Sequence, residues 1–173
     1  MVPVHIIGAG LAGSEAAYQL ASRGIPVRLV EMRPKKMTEA HLTGNCGELV
    51  CSNSFGSDAL HHASRILKDE ITLLGSFILR MARKAGVPAG ASLAVDREIF
   101  SRNITEELKT LKNIEFVTEE CQEIPESGIV LICSGPLTTP ALSKQLSERV
   151  GQSSLYFYDA ISPIVAVDSL DPS

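Results

Sequence analysis

The sequence lacks a long hydrophobic run, a paired cysteine motif and an excess of positive charge. No apolar segment approaches the ~20 residues that a membrane-spanning helix needs, so we expect no membrane span. The four cysteines stand at positions 46, 51, 121 and 133 without a C-x-x-C pair. This spacing argues against a zinc ribbon or a redox dithiol, and no metal site is predicted. The net charge of −4 provides no general attraction to nucleic acid.

The N-terminal residues and the composition are those of an ordinary globular protein. Residues 1–10 have no positively charged start and reach a glycine turn after two isoleucines, so they do not resemble a secretory signal. A chain of 173 residues that is 45% hydrophobic can bury roughly 70% of its unfolded surface without disulfides. We therefore expect one cytoplasmic domain over residues 1–173, with its cysteines reduced.

The first 31 residues have the pattern of a strand, a glycine turn, a helix and a second strand. Residues 4–7 and 27–30 are short β-rich apolar runs, and residues 14–23 carry apolar side chains at helical spacing. This order predicts a βαβ unit. Residues 33–58 then lose both periodicities and are rich in Gly, Asn, Ser and Thr, which is typical of a long functional loop.

After this loop, helical and strand-like segments alternate. Residues 60–85 carry an apolar stripe at helical spacing, which predicts one long helix that is bent near Gly75 and covers the sheet. Asp96 and either Thr138 or Thr139 are suitable N-caps for two later helices. Further apolar runs predict three strands, at 92–95, 114–117 and 129–133. The alternation favours a Rossmann-like α/β fold with a mostly parallel sheet and helices on both faces.

The turn of the βαβ unit matches the G-x-G-x-x-G fingerprint of dinucleotide-binding proteins. Its residues are Gly8, Ala9, Gly10, Leu11, Ala12 and Gly13. The first glycine permits a tight turn, the second lets a pyrophosphate approach the backbone, and the third lets the helix pack closely on the strand. Free N–H groups at the start of the helix would face the anion. The fingerprint therefore predicts a dinucleotide site.

Two further residues extend this predicted site. Glu31 ends the second strand, where an acid can accept hydrogen bonds from the adenosine ribose and would repel a 2′-phosphate, so FAD or NAD is favoured over NADP. Gly135 follows the apolar strand at 129–133, and a second glycine turn at such a strand end can lie beside the same ligand. The basic residues Arg33, Lys35 and Lys36 are interpreted as solvent-exposed, with a local phosphate contact as the alternative.

Several stretches together resemble the N-terminal half of the folate-dependent tRNA (uracil-5-)-methyltransferases, a flavoprotein family. The matching segments are GAGLAGSEAA, VRLVEMRP, ELVCSNS, VPAGASLAVDRE, CSGPLT and YFYDAISPIV. The likeness extends over essentially the whole chain, and members of that family are more than twice as long. The resemblance therefore implies an FAD-binding domain that is the N-terminal part of a larger enzyme.

The resemblance also implies a reaction. FAD, reduced by NADH or NADPH, accepts a one-carbon unit from methylenetetrahydrofolate and delivers it to C5 of a uridine in the tRNA T loop. A cysteine in the family's second half attacks the uracil, and most of the tRNA surface lies there too. Cys51, in the ELVCSNS motif, corresponds to a cysteine beside the flavin that is implicated in removing the C5 proton. Ser52, Asn53 and Ser54 could donate hydrogen bonds to its thiolate.

Other functions remain open from the sequence alone. The chain could belong to a generic FAD- or NAD-dependent oxidoreductase, to the related flavoproteins that modify the tRNA wobble uridine, or to a non-catalytic dinucleotide-binding module. The glycine fingerprint is shared with the wobble-uridine family and with many oxidoreductases, and in a generic oxidoreductase Cys51 would play no catalytic part. Cys46 could pair with Cys51. Cys121 and Cys133 are expected in the core.

Overall fold

The computed structural model describes residues 2–151, which form two sheets and five α-helices. The strands are β1 (Val4–Ile7), β2 (Val27–Glu31), β3 (Ser54–Ser57), β4 (Gly86–Val87), β5 (Ser92–Val95), β6 (Ile114–Thr118) and β7 (Val130–Ile132). The helices are α1 (Leu11–Ala21), α2 (Ala63–Leu73), α3 (Phe77–Lys84), α4 (Arg97–Thr110) and α5 (Pro140–Val150). The matching segment YFYDAISPIV lies outside the described residues.

The larger sheet is parallel and has the strand order β6-β2-β1-β7. Alternate residues of the central strands, such as Ile6 and Leu29, are fully buried and pack in one core with α1, α3 and α4. On the opposite face, Ile7 packs with Leu142 of α5 in a smaller cluster. The predicted βαβ unit, the parallel sheet and the helices on both faces are confirmed.

A second sheet contains β3, β5 and β4 in that order and is antiparallel. The strand predicted at 92–95 is therefore present, but it pairs within this small sheet and not in the parallel one. Its partner β3 lies inside the segment predicted to be all loop. Neither partner had a strand signal, because β4 has two residues and β3 is a short Gly- and Ser-containing segment.

The prediction of one long helix at 60–85 was wrong, because a turn at Gly75 separates the segment into α2 and α3. Gly75 has a φ of +81°, a left-handed conformation that ends a helix. Ser76 then caps α3, its Oγ accepting a hydrogen bond from the N–H of Leu79 at 3.2 Å. Only α3 is embedded in the core, whereas Ile66 and Leu67 of α2 are exposed. Helix α2 therefore does not cover the sheet.

The other helix starts agree with the sequence. Asp96 caps α4 through a hydrogen bond from the N–H of Ile99 to its Oδ1 at 2.9 Å. Thr139, and not Thr138, caps α5 and is followed by Pro140 at the first helical position. Within residues 2–151, no helix is both long and apolar enough to cross a membrane.

Candidate functional site

The glycine turn between β1 and α1 is built by close backbone contacts. Gly8 has a φ of +98°, and a Cβ added there would lie 2.7 Å from the carbonyl oxygen of Cys133. A Cβ at Gly13 would overlap the carbonyl oxygen of Gly8, so this glycine lets α1 lie against the turn. Gly10 differs, because a Cβ there would meet nothing within 4 Å. The space beside Gly10 is therefore open to a ligand.

The start of α1 is an anion-binding feature. Its N-cap is Gly10, which has no side chain to bond the first turn. In the described part of the chain, the N–H groups of Leu11 and Ala12 donate no hydrogen bond. Unpaired N–H groups and the positive end of the helix dipole together favour a negatively charged group at this point.

Glu31 at the end of β2 is oriented by four hydrogen bonds. Its Oε2 accepts from the N–H of Ala9 at 2.9 Å and from a guanidinium nitrogen of Arg33 at 3.1 Å. Its Oε1 accepts from the N–H and the Nε of Arg33, both at 3.0 Å. Burial alone would raise the pKa of Glu31, but the bonds from Arg33 and Ala9 outweigh it and lower the pKa. The carboxylate is therefore ionised at neutral pH.

The interpretation of Arg33 as a solvent-exposed residue was wrong. Its side chain is 2% exposed and lies between the carboxylates of Glu31 and Glu48, with N–O distances of 3.0 Å to each. A buried guanidinium needs paired anions, and no pattern in the sequence indicated that Glu48 would supply the second one. The neighbouring Lys35 and Lys36 are exposed as expected.

The predicted residues meet at a cleft beside the carboxyl ends of β1, β2 and β7. Its lining includes Gly8, Gly10 and Glu31 of the predicted site. Ala9 and Gly13 are buried behind this surface, Leu11 is half-buried, and Ala12 is exposed. Gly135, with a φ of +61°, does not line the cleft, but its neighbours in the turn do. The fingerprint residues and Glu31 are thus brought together, with Gly135 at the border.

Sequence reasoning missed several residues of the cleft. Thr38 and His41 line it and bond one another, with 2.7 Å between Oγ1 and Nδ1. Burial and the charge of Arg33 lower the pKa of His41. Cys121 and Cys133 were expected in the core, but both are half-buried cleft residues. Cys133 could have been predicted as a cleft residue, because it ends the apolar run at 129–133 and ligands bind beside the carboxyl ends of parallel strands. The 38–41 segment carries no motif that indicates a site.

Cys51 is exposed and does not line the cleft. The neighbours that were predicted to stabilise its thiolate are used to fold the loop. The hydroxyl of Ser52 accepts from the N–H of Ser54 at 3.1 Å, and the amide of Asn53 donates to the carbonyl of Val95 at 3.3 Å. No hydrogen bond to the Cys51 sulfur is present among the described residues, so its predicted proton-transfer role stays a prediction.

The remaining thiol of this region is inert. Cys46 is buried, and burial raises its pKa to about 11. Its backbone N–H donates to Thr105 at 2.8 Å, which fixes it against α4. Cys46 and Cys51 are both free, so the suggested pairing is not present. The described range, 2–151, contains no group of three His, Cys, Asp or Glu side chains that could hold a metal.

Comparison with known proteins identifies the family. The family described as glucose inhibited division protein A matches residues 3–173. The chain belongs to this family. The resemblance seen in the motifs is also confirmed, because the chain is 55% identical over 168 residues to the methylenetetrahydrofolate–tRNA-(uracil-5-)-methyltransferase TrmFO of Fusobacterium nucleatum, covering 97% of this chain and 39% of that protein. The TrmFO of Aquifex aeolicus is 54% identical over 97% of the chain and 38% of its own length.

A solved structure supports the fold of this family member. Aquifex aeolicus GidA superposes with a TM-score of 0.56 and 19% identity over 73% of this chain and 21% of that one. At this identity the likeness concerns the fold alone. The chain spans about 39% of the length of the TrmFO relatives.

Proposed function

We propose that this chain is the FAD-binding part of a methylenetetrahydrofolate- and FAD-dependent tRNA (uracil-5-)-methyltransferase that forms 5-methyluridine in the tRNA T loop. The observation that carries the proposal is 55% identity to a TrmFO protein over 97% of the chain. The relatives that match at 55% and 54% identity are both named as tRNA-(uracil-5-)-methyltransferases, which favours the uracil-5 reaction over wobble-uridine modification. A tRNA-modifying enzyme of this kind would work in the cytoplasm.

The residues of the cleft fit FAD. The open space at Gly10 and the unpaired N–H groups of Leu11 and Ala12 suit a pyrophosphate. Gly8 and Gly13 keep the turn close to the sheet, and Gly135 borders the same cleft. Bound FAD would supply the carrier that takes the one-carbon unit from methylenetetrahydrofolate, with NADH or NADPH as reductant.

Glu31 would bind the adenosine ribose. A carboxylate has about four acceptor positions, and in this structure all four are occupied, two of them by the Arg33 side chain. A ribose hydroxyl would therefore replace or share a bond from Arg33. The carboxylate would also disfavour a 2′-phosphate, which supports FAD over NADP at this site.

Cys51 is the residue of this chain that we assign to the chemistry on uracil. Its exposed side chain, as the thiolate, would take the proton from C5 and become the thiol once the remainder of the enzyme brings tRNA and flavin to it. The role requires neighbours that favour the thiolate, because the thiolate is the form that accepts a proton. Folate and most tRNA contacts would come from the part of the enzyme beyond this chain.

Titration of the full-length protein with FAD tests this proposal. Gly10→Val should abolish FAD binding while leaving the fold intact, because the added side chain enters only the ligand space. Glu31→Gln should weaken binding by roughly 1–3 kcal/mol through loss of a charge-assisted bond. Thermal unfolding of each variant controls for folding. Equal FAD affinity of Gly10→Val and parent would exclude the cleft as the flavin site, and binding of NAD but not FAD would favour the oxidoreductase alternative.

A further inference from the structure

The segment that leads to Cys51 is tied to the glycine turn through a closed ring of contacts. One side of the ring is direct, since the N–H of Gly47 donates to the carbonyl of Ala9 at 2.8 Å. The other side runs from the N–H of Ala9 to Glu31, then to Arg33, and then to Glu48. Both sides meet at Ala9, the second residue of the fingerprint.

Glu48 is the junction between this ring and the loop. Its Oε1 accepts from the N–H of Leu42 at 2.8 Å, and its Oε2 accepts from the hydroxyl of Thr43 at 2.8 Å as well as from Arg33 at 3.0 Å. Its side chain is 10% exposed. One carboxylate thus holds the 42–48 segment and the guanidinium that bonds Glu31.

Only Leu49 and Val50 separate Glu48 from Cys51, and Leu49 packs against the core. Beyond Cys51, the backbone of Asn53 accepts the N–H of Val95 at 2.9 Å and anchors the chain to the antiparallel sheet. Cys51 is therefore fixed from both sides. The contacts that hold the chain before Cys51 include Glu31, the carboxylate at which the ribose would bind.

We propose that Glu48 is a positioning residue that couples occupancy of the cofactor cleft at Glu31 to the placement of Cys51. When a ribose hydroxyl takes a position now filled by Arg33, the buried guanidinium keeps Glu48 as its partner, and the 42–51 segment adjusts with it. Without Glu48, Arg33 would have Glu31 as its one carboxylate partner among residues 2–151 and would compete with the ribose. The inference rests on the proposed function, because it requires FAD in the cleft.

The test measures how FAD changes the reactivity of Cys51 in the full-length protein. The rate of alkylation of Cys51 by iodoacetamide is followed by peptide mass spectrometry, with and without saturating FAD. We expect FAD to change this rate in the parent by at least about fivefold, the lower end of ordinary coupling between sites. In Glu48→Gln the ratio should fall to about one at saturating FAD. Glu106→Gln, at an exposed position of α4, is the matched control and should keep the parental ratio.

The possible outcomes separate the inference from the proposed function. If the parent does not bind FAD, the proposed function is wrong. If it binds FAD but the alkylation rate of Cys51 does not respond, or if Glu48→Gln keeps the parental response, the coupling is refuted. If Glu48 had a purely structural role, Glu48→Gln would change the alkylation rate of Cys51 by the same factor with and without FAD. That result would also contradict the proposal. Should Glu48→Gln fail to fold, Arg33→Lys replaces it, because lysine keeps the charge but cannot bridge both carboxylates as a fork.

Discussion

The glycine turn and the segment that carries Cys51 are held by different kinds of contact. The turn is fixed by backbone atoms that approach one another where Gly8 and Gly13 have no side chains. The Cys51 segment is held by side chains from distant elements. In β3, which follows this segment along the chain, the carbonyls of Phe55 and Ser57 accept hydrogen bonds from Lys68 at 3.1 Å and 2.7 Å. Lys68 itself is 5% exposed. The glycine turn thus depends on the absence of side chains at Gly8 and Gly13, whereas the position of Cys51 depends on side chains from distant elements.

This difference predicts different consequences of mutation in the two regions. Changes at Gly8 or Gly13 should damage folding and flavin binding together, because a side chain there would collide with backbone atoms, whereas a change at Gly10 should affect flavin binding alone. Changes at Cys51 should damage turnover alone, because its side chain is exposed and supports no core contact.

The largest effect is expected for Cys51→Ala in the full-length enzyme. If Cys51 removes the C5 proton, methyl transfer should fall by about 10²–10⁴-fold, the usual value of acid–base catalysis. Flavin content and tRNA affinity should stay at parental values, which serve as the control. Single-turnover methylation of a T-loop RNA would measure the loss. Parental turnover in this variant would show that the thiol has no catalytic role and that the Cys51 segment does not serve turnover.

A stability effect is expected for Gly13→Ala. The added Cβ would overlap the carbonyl of Gly8 and force α1 away from the turn, a form of overpacking that costs roughly 3 kcal/mol. Gly24→Ala is the matched control, since nothing lies within 4 Å of its Cβ and only its φ of +79° is strained, at about 1 kcal/mol. Urea unfolding would compare the two. Equal losses would contradict the claim that backbone proximity determines the turn.

The smallest effect concerns Glu15, a side chain that joins the cleft helix α1 to α3. Its carboxylate accepts from the N–H groups of Phe77 at 3.0 Å and Ile78 at 2.8 Å. Burial alone would raise the pKa of Glu15, but these and other hydrogen bonds lower it overall. Glu15→Gln should cost about 1 kcal/mol at pH 7, near the low end for a charged hydrogen bond because the group is half exposed.

The pH dependence of this loss follows from the sign of the pKa shift. A lowered folded-state pKa means that the stabilisation by Glu15 is fully present above its unfolded pKa of about 4.3 and disappears as the pH falls through the lower folded-state value. The difference in unfolding free energy between parent and Glu15→Gln should therefore shrink below about pH 4. A difference that is constant from pH 7 to pH 3 would show that ionisation of Glu15 does not matter. Glu106→Gln should show no difference at either pH.

Most of the parallel half of the fold could be predicted, and much less of the rest. The strands β1, β2 and β6 and the caps at Asp96 and Thr139 depend on patterns within a few residues. The break at Gly75 was underestimated as a bend, because apolar spacing continues across it and only the left-handed backbone reveals the end of α2. The antiparallel sheet was missed because its strands are short and gain stability from pairing with each other.

The sequence by itself determined the βαβ unit and its glycine turn, because the strand, turn and helix patterns and the Gly13–Gly8 approach lie within one short segment. It also indicated Glu31, which ends the adjacent strand. Only the tertiary structure decided that Glu31 is bonded by Arg33, that Glu48 completes the pair, and that Cys51 follows this junction. The Arg33–Glu48 pair joins charges 15 residues apart along the chain, which become partners only when burial removes water from both.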